Sequence, residues 1–211
     1  MEIGSSSAGS ARRPYRQGAR AAAAEATAVR IIDAFTALLK VRRYGGITLD
    51  EVAAGAGVTR QTVIRRFADK LGLMQATARW MGERIEATRY RAAADDPKDA
   101  VAVLMRDYED TGDLLVNILA EEDTAPELSD VLNVGRSGHR RWVEATFSNL
   151  LSGLPQEVRA RRLIQLVVAT DVWIWRLLRR DQKRPAAEVQ TLITDMVLQL
   201  LISTPSQGGK T

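Results

Sequence analysis

Between Thr48 and Phe67 the chain reads TLDEVAAGAGVTRQTVIRRF, and the order of its punctuation leaves little choice of local fold. Thr48 followed by Glu51 three residues on is a capping box, in which each side chain satisfies the other's free backbone N–H at a helix start. Leu49, Val52, Ala53 and Ala56 then recur at helical spacing and form one apolar stripe. Gly57 supplies the left-handed backbone needed just past a helix end, and Thr59 is an N-cap for a second helix that ends near Phe67. Two short helices joined by so tight a turn make a helix-turn-helix.

In the second helix Val63 and Phe67 are four apart and point inward, while Arg60, Gln61, Thr62, Arg65 and Arg66 fill the outer positions with no acid among them. The second helix of such a motif enters the major groove N-terminus first, so Arg60, Gln61 and Thr62 are expected at base edges. Arg65 and Arg66 fall nearer the phosphates, and Thr48 and Thr59 at the two helix starts complete the candidate DNA-facing set. An ordinary helical hairpin with a solvated charged face is the competing reading. It leaves unexplained why capping box, turn glycine and single charge sign coincide.

From about Thr27 to Met74 the chain resembles the N-terminal domain of TetR-type transcriptional regulators. The matching residues are Thr48, Val52, Ala53, Ala56, Gly57, Val58, Thr59, Thr62, Val63, Phe67 and Lys70. Two positions depart from the pattern: Ile64 stands where a phosphate-touching tyrosine is usual, and Arg66 where histidine or tyrosine is common. The resemblance implies a homodimeric repressor with a phosphate contact from Lys70. A cation in the first turn of a helix opposes the helix dipole, which also makes sense if a phosphate approaches that end.

Charge is unevenly distributed. Residues 1–90 hold 15 Lys and Arg against 8 Asp and Glu, and residues 91–211 hold 15 against 18. A basic part joined to a mildly acidic one suits a nucleic-acid reader carried by a module with another task. The chain has no cysteine and one histidine, His139, which excludes disulfides and cysteine- or histidine-rich metal sites, so neither metal nor cofactor is expected. With no apolar leader and no uncharged apolar run of membrane length, the expectation is a soluble, cytoplasmic protein.

The expected architecture is all-α: a three-helix DNA-binding domain joined to a larger helical bundle for effector binding and dimerisation, about nine helices in all. Residues 1–20 read as a flexible basic arm with Arg12, Arg13, Arg16 and Arg20. It either reaches a flanking minor groove or only solubilises the chain. Residues 21–70 form the DNA-binding domain, with a first helix over about 22–41 covering the motif through Ile31, Ile32, Phe35, Leu38 and Leu39. Residues 71–203 form the bundle and 204–211 a disordered tail. A connecting helix to about Ala93 precedes helices over 97–121, with an interruption near Gly112, then 126–151, 155–180 and 185–202. Each of these four spans starts at a proline.

The last two spans are apolar on more sides than one partner needs. Ile164, Val168, Trp175 and Leu178 with Leu192, Met196 and Leu200 are the candidate dimer face, paired with their copies as four helices. Tyr108, Asn117, His139, Trp142, Thr170 and Trp173 are the aromatic or polar-tipped residues of the aliphatic body. They are candidates for a pocket that takes a hydrophobic or amphipathic small molecule, and equally for ordinary packing. No nucleophile–base set or phosphate loop is legible, so an enzyme is not expected. The functional expectation is a ligand-responsive repressor binding a palindromic operator as a dimer. The alternative is an architectural DNA-binding protein without an effector, which predicts weak sequence preference.

Overall fold

The computed structural model describes residues 12–91 and 96–202. Helix α1 (Arg12–Val41) leads through a 3-10 turn at Tyr44–Gly46 into α2 (Leu49–Ala56), α3 (Arg60–Phe67) and α4 (Lys70–Arg91). Then follow α5 (Pro97–Leu119), α6 (Ser129–Phe147), α7 (Gln156–Ala169), α8 (Val172–Arg176), which continues as a π-helical turn over Leu177–Asp181, and α9 (Ala186–Ile202). The chain is all-α, and no strand occurs among the described residues.

Helix α1 begins ten residues earlier than the apolar pattern suggested. Ala21–Ala24 carry no apolar periodicity but have the highest helix propensity of any residue type, enough to extend a helix nucleated on the buried face beyond them. The proposed arm at residues 1–11, the side chains of Arg12, Arg13 and Arg16, and the tail at 204–211 lie outside what the structure describes, and Arg20 is exposed.

Two apolar cores hold the elements together. The first gathers Ile31, Phe35 and Leu39 of α1, Val52 of α2, Val63 of α3 and Leu73 of α4, all essentially inaccessible, and continues without a gap into Leu114 and Ile118 of α5 and Leu132 of α6. The reading unit is therefore seated on the body by shared core. Hydrogen bonds reinforce the seat: Asn117 Nδ2 donates to Leu39 O at 2.9 Å and to Lys40 O at 3.2 Å, and Gly45 N donates to Glu121 Oε2 at 3.1 Å.

The second core packs α5, α6, α7, α8 and α9 around Trp175, Phe147, Leu151 and Leu104. Here three expectations are corrected. Helix α5 runs through Gly112 uninterrupted, because that glycine admits the Trp175 ring: a Cβ at Gly112 would collide with its Cζ3. Trp175 is consequently inaccessible and donates Nε1–H to Glu109 Oε1 at 3.0 Å, so it belongs to the interior of the chain's own fold and not to an outer face. The span 155–180 is also two helices. Thr170 turns its hydroxyl back to Leu166 O, and Asp171 starts α8 by accepting Trp173 N–H at 2.9 Å, an N-cap in mid-span.

Candidate functional site

The helix-turn-helix is built by local chemistry. Thr48 N donates to Glu51 Oε2 at 2.8 Å and Glu51 N to Thr48 Oγ1 at 3.3 Å, closing the capping box. Arg42, together with Thr48, holds the Glu51 carboxyl at a pKa of about 2. Gly57 adopts φ +65°, and the bonds Gly57 N to Ala54 O and Val58 N to Ala53 O end α2 as a Schellman motif. Thr59 Oγ1 accepts Thr62 N–H at 3.2 Å and starts α3. The hydroxyls of Thr48 and Thr59 are thus engaged in capping, although both residues are exposed.

Helix α3 buries Val63 and shows Arg60, Gln61, Arg65 and Arg66 to solvent, with Thr62 half-buried. Arg60 lies 3.9 Å from Asp50, a loose pairing between exposed groups, and Arg66 Nη2 donates to Glu25 Oε2 of α1 at 2.9 Å. No carboxylate lies on Arg65 or Gln61 among the described residues. Ile64, Arg65, Arg66 and Arg79 border a shallow groove between α3 and α4.

Lys70 is less free than its place at the start of α4 suggested. Its ammonium lies 4.2 Å from the Tyr44 ring centroid and donates to Ile47 O at 2.8 Å and Gly45 O at 3.4 Å. Burial lowers its pKa, against the opposing pull of Glu121 and Glu127. Lys70 therefore fixes the turn before α2. Between α3 and α4, Ala68 sits at φ +67° and ψ −59° with Asp69 N bonded to Phe67 O at 2.9 Å, a γ-turn that strains any residue with a Cβ. Ala68→Gly is expected to raise stability by about 1 kcal/mol, read as a higher urea midpoint at unchanged slope. A lower midpoint would show that the turn is not strained.

Above the reading unit a cavity of about 230 Å³ opens between α4, α5 and α6. Met81 and Ile85 of α4, Leu115 of α5 and Val131 of α6 make its apolar wall, and Arg89, Tyr108, His139 and Trp142 give it polar tips. Of the six pocket candidates the structure brings Tyr108, His139 and Trp142 together there. Thr170 stands behind His139, its Oγ1 3.2 Å from Nε2. Asn117 and Trp173 do not line the cavity: the Asn117 amide is spent on the end of α1, and Trp173 is 45% exposed on α8. Burial raises the Tyr108 pKa strongly, and the phenol donates to Thr170 O at 3.0 Å.

Of the candidate dimer residues, Ile164 and Val168 on α7 and Leu192 and Met196 on α9 are exposed on two helices that pack together, whereas Leu178 and Leu200 are half-buried. Among the described residues no group of three His, Cys, Asp or Glu is placed to hold a metal ion, and no helix is long and apolar enough to cross a membrane.

A helix-turn-helix with a basic, acid-free outer helix, carried on an all-helical body, defines a DNA-binding protein of the regulator class. Residues 31–77 match the family model described as bacterial regulatory proteins, tetR family. The chain is 35% identical over 72 residues to the HTH-type transcriptional regulator AlkX of Mycobacterium tuberculosis, a match spanning 34% of this chain and 32% of that protein. It is 28% identical over 189 residues to the HTH-type transcriptional regulator CymR of Pseudomonas putida, across 86% of this chain and 80% of the relative. In fold it is similar to a TetR-family regulator from Rhodococcus sp. (TM-score 0.65, 14% identity, 83% of this chain and 98% of that one) and to another from Streptomyces coelicolor (TM-score 0.62, 15% identity, 87% and 92%). These relatives are regulators and not enzymes.

Sequence reasoning missed Arg89, Asp107 and Glu121. Arg89 and Asp107 form an ion pair between α4 and α5 with side chains only 6% and 10% exposed. Glu121, just past the end of α5, is buried and accepts Gly45 N–H. The one available signal was the type of residue: an arginine or acid within an otherwise apolar helical face requires a partner.

Proposed function

We propose that the chain is a ligand-responsive repressor that binds a palindromic operator as a homodimer in the cytoplasm. The observation that carries this reading is the cavity's position. One of its walls is α4, the helix that begins directly after the reading unit, and another is α5, whose Asn117 holds the end of α1 and whose following turn carries Glu121 to the Tyr44–Gly46 turn. A molecule that favours a different spacing of α4 and α5 changes the seat of the reading unit, and in a dimer it changes the separation of two reading helices that a palindrome requires at about 34 to 36 Å. A differential affinity of about 1 to 3 kcal/mol gives roughly 5- to 150-fold control.

In this reading Arg60, Gln61 and Thr62 meet base edges and Arg65 meets phosphate. Arg66 competes between phosphate and Glu25. Thr48, Thr59 and Lys70 act by holding the helices in place. Selecting binding sites from random duplexes tests the whole: a two-fold symmetric consensus is expected, and weak preference would point instead to an architectural binder. On the recovered site, Arg60→Ala and Gln61→Ala should each relax particular base pairs by about 1 to 3 kcal/mol. Arg65→Ala should weaken all sequences alike and reduce the salt slope by about one unit. Uniform losses from Arg60 and Gln61 would place base reading elsewhere on α3.

A further inference from the structure

Several cations of the reading unit are already engaged. The Lys70 ammonium is turned inward onto Ile47 O, Gly45 O and the Tyr44 ring. Arg66 is held by Glu25 at 2.9 Å, and Arg60 faces Asp50 at 3.9 Å. Arg65 of α3 and Arg79 of α4 differ: both are exposed, and among the described residues no carboxylate pairs with either.

These two arginines border one groove, and no acid lines it. Residues 64–67 of α3 form one wall, and Gly72, Gln75 and Arg79 form the other, recurring at i, i+3 and i+7 along one face of α4. The two walls are fixed to each other. A Cβ at Gly72 would collide with Phe67 O, so glycine is what lets α4 pass this close to the end of α3, and Asp69 Oδ1 accepts Gly72 N–H at 2.7 Å. The groove is continuous with the reading face, because Arg65 follows Gln61 by one helical turn. It is also open along its length. A small anion needs donors that converge on it from several sides, whereas cations spaced along an open channel suit phosphates that run past as part of a polymer.

We propose that the groove between α3 and α4 is a second phosphate site for duplex DNA, in which Arg79, with Gln75 beside it, grips the backbone flanking the major groove that α3 reads. The proposal rests on the reading of α3 as the DNA-facing helix. Arg79 lies beyond residues 31–77, the part that matches the family model, so the contact comes from the connecting helix and not from the motif. Ala78 and Gly82 of the same helix line the cavity. One helix thus carries a phosphate contact on one face and a cavity wall on another, and a displacement of α4 reaches the DNA directly.

The test measures binding of the full chain to the selected operator and to a random duplex across a salt series, by fluorescence anisotropy. Arg79→Gln is expected to weaken both duplexes about tenfold and to lower the salt slope by about one unit, while Arg79→Lys keeps the slope. Arg84→Gln controls for net charge, since the Arg84 guanidinium lies on the same helix outside the groove, 4.6 Å from the Trp80 ring centroid. It should leave the slope unchanged. An unchanged slope in Arg79→Gln, or an equal fall in Arg84→Gln, would overturn the proposal while leaving α3 the reading helix. Competition by inorganic phosphate at constant ionic strength, lost in Arg79→Gln, would overturn it too, by making the groove a small-anion site. If the unsubstituted chain bound neither duplex, the DNA reading of α3 would fall and the proposal with it.

Discussion

Asp107→Ala is expected to destabilise the fold by about 3 to 5 kcal/mol, the cost of leaving a buried charge without its partner. Arg89 reaches from α4 to α5 and places Nε 2.9 Å from Asp107 Oδ2, with a second donor, Nη2, on the same oxygen. Its guanidinium lies between the rings of Tyr108 and Trp142, at 5.4 and 5.6 Å from their centroids, so little water can replace the lost carboxylate. Against a total stability of roughly 5 to 15 kcal/mol for a domain of this kind, that loss should be visible as a large fall in urea midpoint at fixed protein concentration. The double variant Arg89→Met with Asp107→Leu removes both charges and should recover most of it, since a buried pair replaced by apolar groups of similar volume is often neutral or better. A single variant within about 1 kcal/mol of the original would show the pair to be solvated in practice. In the proposed reading the pair also bears on control, because it fastens α4 and α5, the two helices whose spacing a bound molecule would change.

What could be read from the sequence and what could not divide along the range of the interactions. Every feature of the reading unit that was legible is made within about five residues: Thr48 with Glu51, Gly57 with Ala54, Thr59 with Thr62. Such contacts leave a signature in spacing alone. Asn117 and Lys70 look like available donors in the same text, yet their amide and ammonium are spent on carbonyls 78 and 23 residues away, and no local pattern encodes those pairings. Gly112 shows the same limit. Within a helical stretch it reads as a weak point, and only the arrival of Trp175 from α8 explains it. The division at residue 70 followed the end of the motif, whereas the first core runs on from α3 into α5 and α6. Burial is set by tertiary packing, so a boundary drawn from a motif marks recognition chemistry and not where the core stops.

On the proposed dimer, Val168→Glu should abolish association at micromolar concentration and lower operator affinity by about 10³-fold or more. Ile164 is 66% and Val168 57% exposed in the protomer, and Leu192 and Met196 of the neighbouring helix are each 38% exposed, so four large apolar side chains share one open face. Two such faces related by a two-fold axis bury every residue twice, and a single substitution therefore places two carboxylates in the apolar contact. Desolvating even one unpaired carboxylate costs several kcal/mol, which converts to about 10³ in the dimerisation constant. Because Val168 is open to solvent in the isolated protomer, the same glutamate should leave helix content and the cores unchanged, so circular dichroism separates loss of association from loss of fold. Sedimentation velocity should then show a folded monomer, and that monomer should retain only the salt-sensitive, sequence-tolerant component of DNA binding supplied by its basic face. A Val168→Glu protein that still sedimented as a dimer with full operator affinity would move the interface off α7 and α9, and with it the geometry by which two reading helices could meet a palindrome.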